Sequence, residues 1–207
     1  MKYLLILITL ALPSAFVCAK GKPVLGPVVH EVRFDACHYR VTDTFNGWID
    51  LNTEGSTHTF SYIANLNPKA KRPFETSIQF YCDSNKGMDK AFFDMGMQRT
   101  TGKWALKDGD DKPLAEEHAV FYTLQSTGWN GGGYGLDQTW GEPKDRTRSF
   151  AFCLTNGPQT LCGYSEVVGY AKRPHEWVIP QVIKLLQSIE FIDVPVTDKA
   201  SATAAAP

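Results

Sequence analysis

The chain has 207 residues, 43% of them hydrophobic and 21% charged, and a formal net charge of −1. That length and apolar content suit one domain with a full core. Basic and acidic residues balance at 21 and 22 and no basic cluster stands out, so nucleic acid is not an expected partner: phosphate binding needs concentrated Lys and Arg.

The N-terminus sets the compartment. Lys2 precedes an apolar run over residues 4–12, which Pro13 and Ser14 break. A single early lysine, a short apolar stretch and small residues after it read as a signal peptide over residues 1–19, with cleavage following Val17, Cys18 and Ala19. A membrane span needs about 20 apolar residues, and neither this run nor any later one reaches that length. Cys18 offers a rival, a lipid anchor, but Val17 stands where a lipobox takes a small residue. The expected location is periplasmic or secreted.

In chain order, residues 20–27 read as an extended lead-in and a single α+β domain follows over residues 28–194. Alternation begins with Val28, His30, Val32, Phe34 and Ala36 on one face and Glu31, Arg33 and Asp35 on the other. Cys37 falls on the polar parity, which a bulge or a strand end near it would resolve. Further strands are expected over residues 39–42, 47–51, 58–63 and 76–82, separated by Asn, Gly, Pro and Lys turns. Met88, Ala91, Phe92 and Met95 recur at helical spacing, predicting a helix over 88–99. Residues 107–112 form an acidic, glycine-containing turn, and residues 119–125 read as a strand.

Residues 126–140 then carry Gly128, Gly131, Gly132, Gly133 and Gly135 among Trp129, Tyr134 and Trp140. Glycine at this density predicts a mobile loop, and its aromatic rings are of the kind that anchor interfaces. The opposing possibility is that one or two rings tuck into the core. Next comes a hairpin with Phe150, Phe152, Leu154, Leu161 and Val167 on the core face. Either Pro174 or Pro180 can start a closing helix containing Val182, Ile183, Leu185 and Leu186. A last strand over 189–194 ends the domain, and residues 195–207, rich in Ala, Thr and Ser, read as disordered.

Of the five cysteines, cleavage leaves Cys37, Cys82, Cys153 and Cys162, an even set that favours disulfides in an exported protein. Four cysteines allow three pairings. Opposing Thr155 to Thr160 across the Asn156–Gly157–Pro158 turn sets Leu154 opposite Leu161 and Cys153 opposite Cys162. A Cys153–Cys162 bridge is therefore expected, leaving Cys37 with Cys82; the short loop gives about 2 kcal/mol. The overall expectation is an antiparallel β-sheet sandwich with one internal and one C-terminal helix, stapled twice.

Catalytic patterns are weak. Disulfides consume the thiols that His30, His38, His58, His118 or His175 would activate. Ser165 lacks the second glycine of a nucleophile elbow. His175–Glu176 has no second histidine one turn on, and Asp108, Asp110 and Asp111 begin a calcium-loop pattern that Lys112 breaks. Neither metal nor cofactor is expected. Glu116, Glu117 and His118 are adjacent and so point apart. Arg146 and Arg148 alternate, and read either as a carboxylate or phosphate clamp or as exposed strand positions.

Residues 177–193, ending Ile-Lys-Leu-Leu-Gln-Ser-Ile-Glu-Phe-Ile-Asp, resemble the end of PsbP-like domains, where a helix runs into a short strand; the first half departs from them, lacking the opening in which a glycine-tryptophan motif follows a proline, with Asn46–Gly47–Trp48 a faint echo of it. In size, signal peptide and disulfide content the chain is also similar to periplasmic immunity proteins that neutralise type VI secretion effectors. The resemblance implies an exported binding module with a protein partner, a secreted effector or envelope protein, and assigns no residue; the reading of the residues themselves makes Trp129, Tyr134, Trp140, Arg146 and Arg148 the candidate binding residues. The alternative is a carbohydrate- or peptidoglycan-associated enzyme or lectin-like protein, with Asp137, Glu142 or the arginine pair at its site. Two opposed carboxylates about 5 to 9 Å apart beside an aromatic cleft favour the alternative; a convex loop without a cleft favours protein capture.

Overall fold

The computed structural model describes residues 26–52, 58–82, 88–101, 103–107 and 118–192. The signal peptide, most of the lead-in, the acidic turn from residue 108, Glu116, Glu117, the last residues of the closing strand and the C-terminal tail lie outside the described residues.

Most of the described chain is antiparallel sheet. Strands β1 (Val28–Phe34) and β2 (Cys37–Asp43) form a hairpin. Its turn is Asp35–Ala36, with Asp35 at φ 48°, and Phe34 faces Cys37 in register. The parity conflict at Cys37 is thus a strand end: a two-residue turn restores the cysteine to the buried face beside Tyr39 and Val41. Strands β3 (Trp48–Asn52), β4 (Thr59–Ala64) and β5 (Thr76–Cys82) follow.

Helix α1 (Met88–Asp94) is shorter than the 88–99 expected. Gly96, at φ 83°, donates its amide to the Phe93 carbonyl at 3.1 Å, the left-handed stop that glycine supplies without steric cost. The remaining predicted helix is instead β6 (Met97–Thr100), paired with β7 (Lys103–Leu106).

Strand β8 (Val120–Ser126) turns into β9 (Trp129–Asp137), then come β10 (Thr147–Thr155) and β11 (Thr160–Tyr170). A 3-10 turn at Pro174–Glu176, helix α2 (Ile179–Gln187) and β12 (Glu190–Phe191) close the domain. Both candidate prolines start an element, Pro174 the 3-10 turn and Pro180 α2.

Seven strands pair in the order β3-β4-β5-β11-β10-β9-β8, while β1, β2 and β12 form a second, smaller sheet. The small sheet and α2 cover one face of the large sheet. There Tyr39 and Val41 meet Phe60, Phe80, Phe152 and Leu186, all 2% exposed or less. On the opposite face α1 and the β6–β7 hairpin cover one end, burying Phe92 and Met97 against Cys153 and Cys162. β10 is therefore buried on both sides, which explains its unbroken apolar run from Phe150 to Leu154.

The hairpin register is as the turn chemistry predicts: Cys153 faces Cys162, Leu154 faces Leu161 and Thr155 faces Thr160. Both disulfides are present, Cys153–Cys162 and Cys37–Cys82. Phe150, Phe152, Leu154 and Leu161 take the core face, but Val168 replaces Val167 there. The register shifts between Arg148 and Phe150, which pair with Gly169 and Ser165 of β11, and within that bulge Val168 rather than Val167 turns to the core.

The glycine-rich segment is corrected most. It is β9, a central strand between β8 and β10, and its glycines answer crowding rather than mobility. A Cβ at Gly131 would run into the Cys153 carbonyl, one at Gly133 would stand 2.8 Å from the Ala151 carbonyl and the Phe150 ring, and one at Gly135 would meet Arg148 at 2.9 Å. Bulky β10 side chains lean over β9, and only glycine leaves the room. Gly131→Ala should accordingly cost about 1–3 kcal/mol. Urea unfolding would check this: an unchanged midpoint would mean that the strand has slack.

Candidate functional site

The five residues picked out by sequence separate in space. Trp129 is 5% exposed and donates its indole N–H to the Ile189 carbonyl at 2.8 Å, so it is a core ring with its polar atom satisfied. Tyr134 lies under α1, its hydroxyl donating to the Met95 carbonyl at 2.6 Å. Only Trp140, 72% exposed, stands free as an anchor.

Arg146 and Arg148 do not make a clamp. Arg146 donates from Nε to the Gly141 carbonyl at 3.2 Å, within its own loop. Arg148 is fully buried, with Nη1 donating to Asp137 Oδ1 at 2.6 Å and Nη2 to the His118 and Gly135 carbonyls, both at 3.1 Å. Its guanidinium stacks on Trp177, 4.3 Å from the ring centroid. A charge this enclosed is consumed by internal partners and serves the fold.

Each of the five histidines also lies against a carboxylate: His30 with Asp43, His38 with Glu31, His58 with Asp35, His118 with Asp137 and His175 with Glu176. Glu142 pairs with Lys144 at 3.1 Å, both exposed.

The concave surface lies elsewhere, on the part of the large sheet that α1 and β6–β7 leave open. A depression of about 540 Å³ runs from the β9–β10 loop across the sheet; Trp140 and Gln138 line one side, Ser149, Tyr164 and Glu166 the other. A second, of about 230 Å³, shares Tyr164 and Glu166 and continues over Ser77 and Gln79 of β5 and Glu75, which precedes that strand. Register explains the continuity. Gln79 pairs with Tyr164, Ser61 with Gln79 and Asp50 with Ser61, so their outward side chains form one row across four strands. In the adjacent row Trp48 pairs with Ile63 and Ile63 with Ser77, which puts Trp48 on the same face, 54% exposed.

The concave part stops at β5, and Trp48 lies beyond it on the same face, two strands away; local structure fixes both ends of this face. At the Trp140 end Gln138 closes the loop, donating its amide to the Thr147 carbonyl at 2.8 Å. Arg72 anchors the loop from outside by an ion pair with Asp145 at 2.8 Å. At the Trp48 end buried Asp43 accepts the amides of Phe45 and Gly47 at 2.6 and 2.8 Å and the Tyr62 hydroxyl at 2.7 Å. That carboxylate holds the turn leading into β3. Burial and the Asp43 charge together push the Tyr62 phenol far above its usual range, so it stays a donor.

Burial likewise raises the Tyr164 phenol, with the Glu166 charge adding to it, against a hydrogen bond from Ser149. Tyr164 therefore presents a neutral ring and hydroxyl to the groove. The carboxylates that line the two depressions are those of Asp137, Glu75 and Glu166; Asp137 pairs with Arg148 and lies against His118, and Asp50 adds a further carboxylate to the outward row. An aromatic-flanked, acidic, hydroxyl-rich trough can hold an extended polar ligand.

Tyr164, Glu166, Ser149, Glu75 and Gln79 carry no motif and were not candidates from sequence. Their signal is the outward parity of β5 and β11, which reads as ordinary solvent-facing alternation until the topology brings the two strands together.

No family model, curated protein or solved structure matches the chain.

Proposed function

We propose that the protein is an exported binding module whose ligand lies along the open face of the large sheet, between Trp140 and Trp48. The single observation that supports this reading most is a continuous concave trough with exposed aromatic rings, where a protruding loop had been expected. Two disulfides, with no helix among the described residues long and apolar enough to cross a membrane, are consistent with an extracytoplasmic setting. The five histidines and the buried arginine already have internal partners, so the face offers hydrogen bonds and ring surfaces rather than an activated nucleophile.

The test is to fill or strip the trough. Immobilised wild-type protein should retain a component of the cell envelope that Ser149→Arg and Trp140→Ala both release, while Val29→Ser, on the exposed outer side of β1, keeps it. Circular dichroism should show all three folded. If both trough variants retain the component as wild type does, the ligand binds elsewhere.

A second reading, capture of a protein partner as an immunity or inhibitor protein would do, is favoured by a different feature. β8 is an edge strand with Val120 and Phe121 exposed. Beside it lies an apolar cleft of about 370 Å³ lined by Tyr122, Trp177, Ile179 and Ile183, a geometry suited to strand addition. Thr123→Pro on β8 would discriminate, since it removes an edge donor without touching the trough.

A further inference from the structure

We infer that the ligand of the trough is a glycan chain bearing free amino groups. This rests on reading the open sheet face as the binding site and adds the chemistry of what it holds.

The floor of the trough is matched to sugar hydroxyls. Ser77 and Gln79 supply a hydroxyl and an amide that both donate and accept, and the Ser149 hydroxyl, which donates within the sheet to the Leu136 carbonyl at 3.5 Å, still accepts. Sugar hydroxyls have the same dual character, so they find partners whichever way they turn.

Exposed rings are spaced widely along the same face. Trp140 is 72% exposed, Trp48 54% and Tyr164 37%. Crossing from β3 to β9 takes five strand spacings, about 24 Å, with Tyr164 between. Pyranose rings present flat C–H faces that stack on aromatic planes, and an elongated chain of them meets widely spaced rings in turn. A bound peptide needs either a free strand edge or apolar side-chain pockets. Here every strand from β4 to β9 is paired on both sides, and the lining is polar apart from Leu136, Val167 and the aromatic rings.

Charge selects among glycans. Neither Glu75 nor Glu166 enters an ion pair among the described residues, and no Lys, Arg or His lines the trough. Two uncompensated carboxylates in a concave surface repel sulfate, phosphate and uronate groups and attract ammonium. An amino-bearing sugar satisfies the carboxylates, the hydroxyl floor and the aromatic planes at once.

Isothermal calorimetry on the full exported chain tests this with three hexasaccharides: β-linked glucosamine, N-acetylglucosamine and galacturonate. Glucosamine hexamer should bind at least about tenfold tighter than the N-acetylated one, the factor that one added charge contact provides, and galacturonate hexamer should not bind. Trp140→Ala should weaken glucosamine binding about tenfold. Glu75→Gln with Glu166→Gln should erase the preference for the free amine. Equal or tighter binding of the N-acetylated hexamer, or any binding of galacturonate, overturns the assignment. So does trough-dependent binding of a lysine-rich decapeptide. If all three sugars are silent while Ser149→Arg still abolishes envelope retention, the trough stands and the glycan falls; if retention also survives Ser149→Arg, both fall.

Discussion

Asp137→Asn should destabilise the protein by about 3–5 kcal/mol, the cost of leaving a buried cation without its counter-charge. Arg148 is 0% exposed and Asp137 10%, so water cannot replace the lost carboxylate. The neighbours worsen the case. The His118 and Gly135 carbonyls and the Trp177 ring hold the guanidinium in place, and a Cβ-free Gly135 shows how closely β9 is fitted around it. Arg148 therefore cannot swing out to solvent without opening the β9–β10 ladder. The companion variant Asp137→Leu with Arg148→Met removes both charges and keeps most of the volume. It should recover most of the loss, because two well-packed apolar side chains replace a buried pair at little cost. Urea denaturation at neutral pH reads both variants. A single mutant within about 0.5 kcal/mol of wild type would mean that the guanidinium is hydrated in solution.

That arginine also marks where sequence reading reaches its limit. Arg146 and Arg148 alternate in a polar stretch, and alternation assigns a face only relative to neighbours of known direction. Arg148 shares the parity of Phe150 and Phe152 through an unbroken β9–β10 register, which points it inward; that Asp137, two carbonyls and the Trp177 ring stand there to hold its charge is a tertiary fact. Elements whose signal is local were legible instead. The Asn156–Gly157 turn fixed the cysteine register, the period-two runs marked β1, β5 and β10, and proline marked both starts of the closing helical segment.

The glycine-rich strand shows the opposite failure. Composition alone cannot separate glycine that permits motion from glycine that yields space to a neighbour, because the neighbour is given by strand order. Phe150, Leu154 and Arg148 lie ten or more positions along the chain, and only the β9–β10 register places them over Gly131, Gly133 and Gly135. The candidate trough was hidden for the same reason. β5 and β11 are separated by α1 and five strands in sequence and become neighbours only in the sheet, so Gln79 and Tyr164 have no shared motif. Trp140 is the exception: it was singled out for its position among the glycines, and it lines the trough.

Removing the Cys37–Cys82 bridge should cost more stability than removing Cys153–Cys162, about 4 kcal/mol against about 2–3 kcal/mol. The two bridges close loops of different length, 45 residues and 9 residues in sequence separation. A crosslink restrains the unfolded chain more when it closes a longer loop. Their places in the fold point the same way. Cys153 and Cys162 are neighbours in a hairpin that nine-residue proximity and the β-ladder already hold together. Cys37, by contrast, belongs to β2 of the small sheet and Cys82 to β5 of the large one, so this bridge alone joins the two sheets covalently. Around it, Gln159 accepts the His38 amide at 2.7 Å and donates to the Ile192 carbonyl at 2.9 Å, contacts that need the sheets held in register. Cys37→Ala with Cys82→Ala should thus loosen the packing of Tyr39 on Phe60 and Phe80 as well as enlarge the unfolded ensemble. Urea unfolding of the two double mutants, each retaining the other bridge, gives the comparison directly. A larger loss from Cys153→Ala with Cys162→Ala would show that loop closure does not govern the stability of this sandwich and that the hairpin is its weak point.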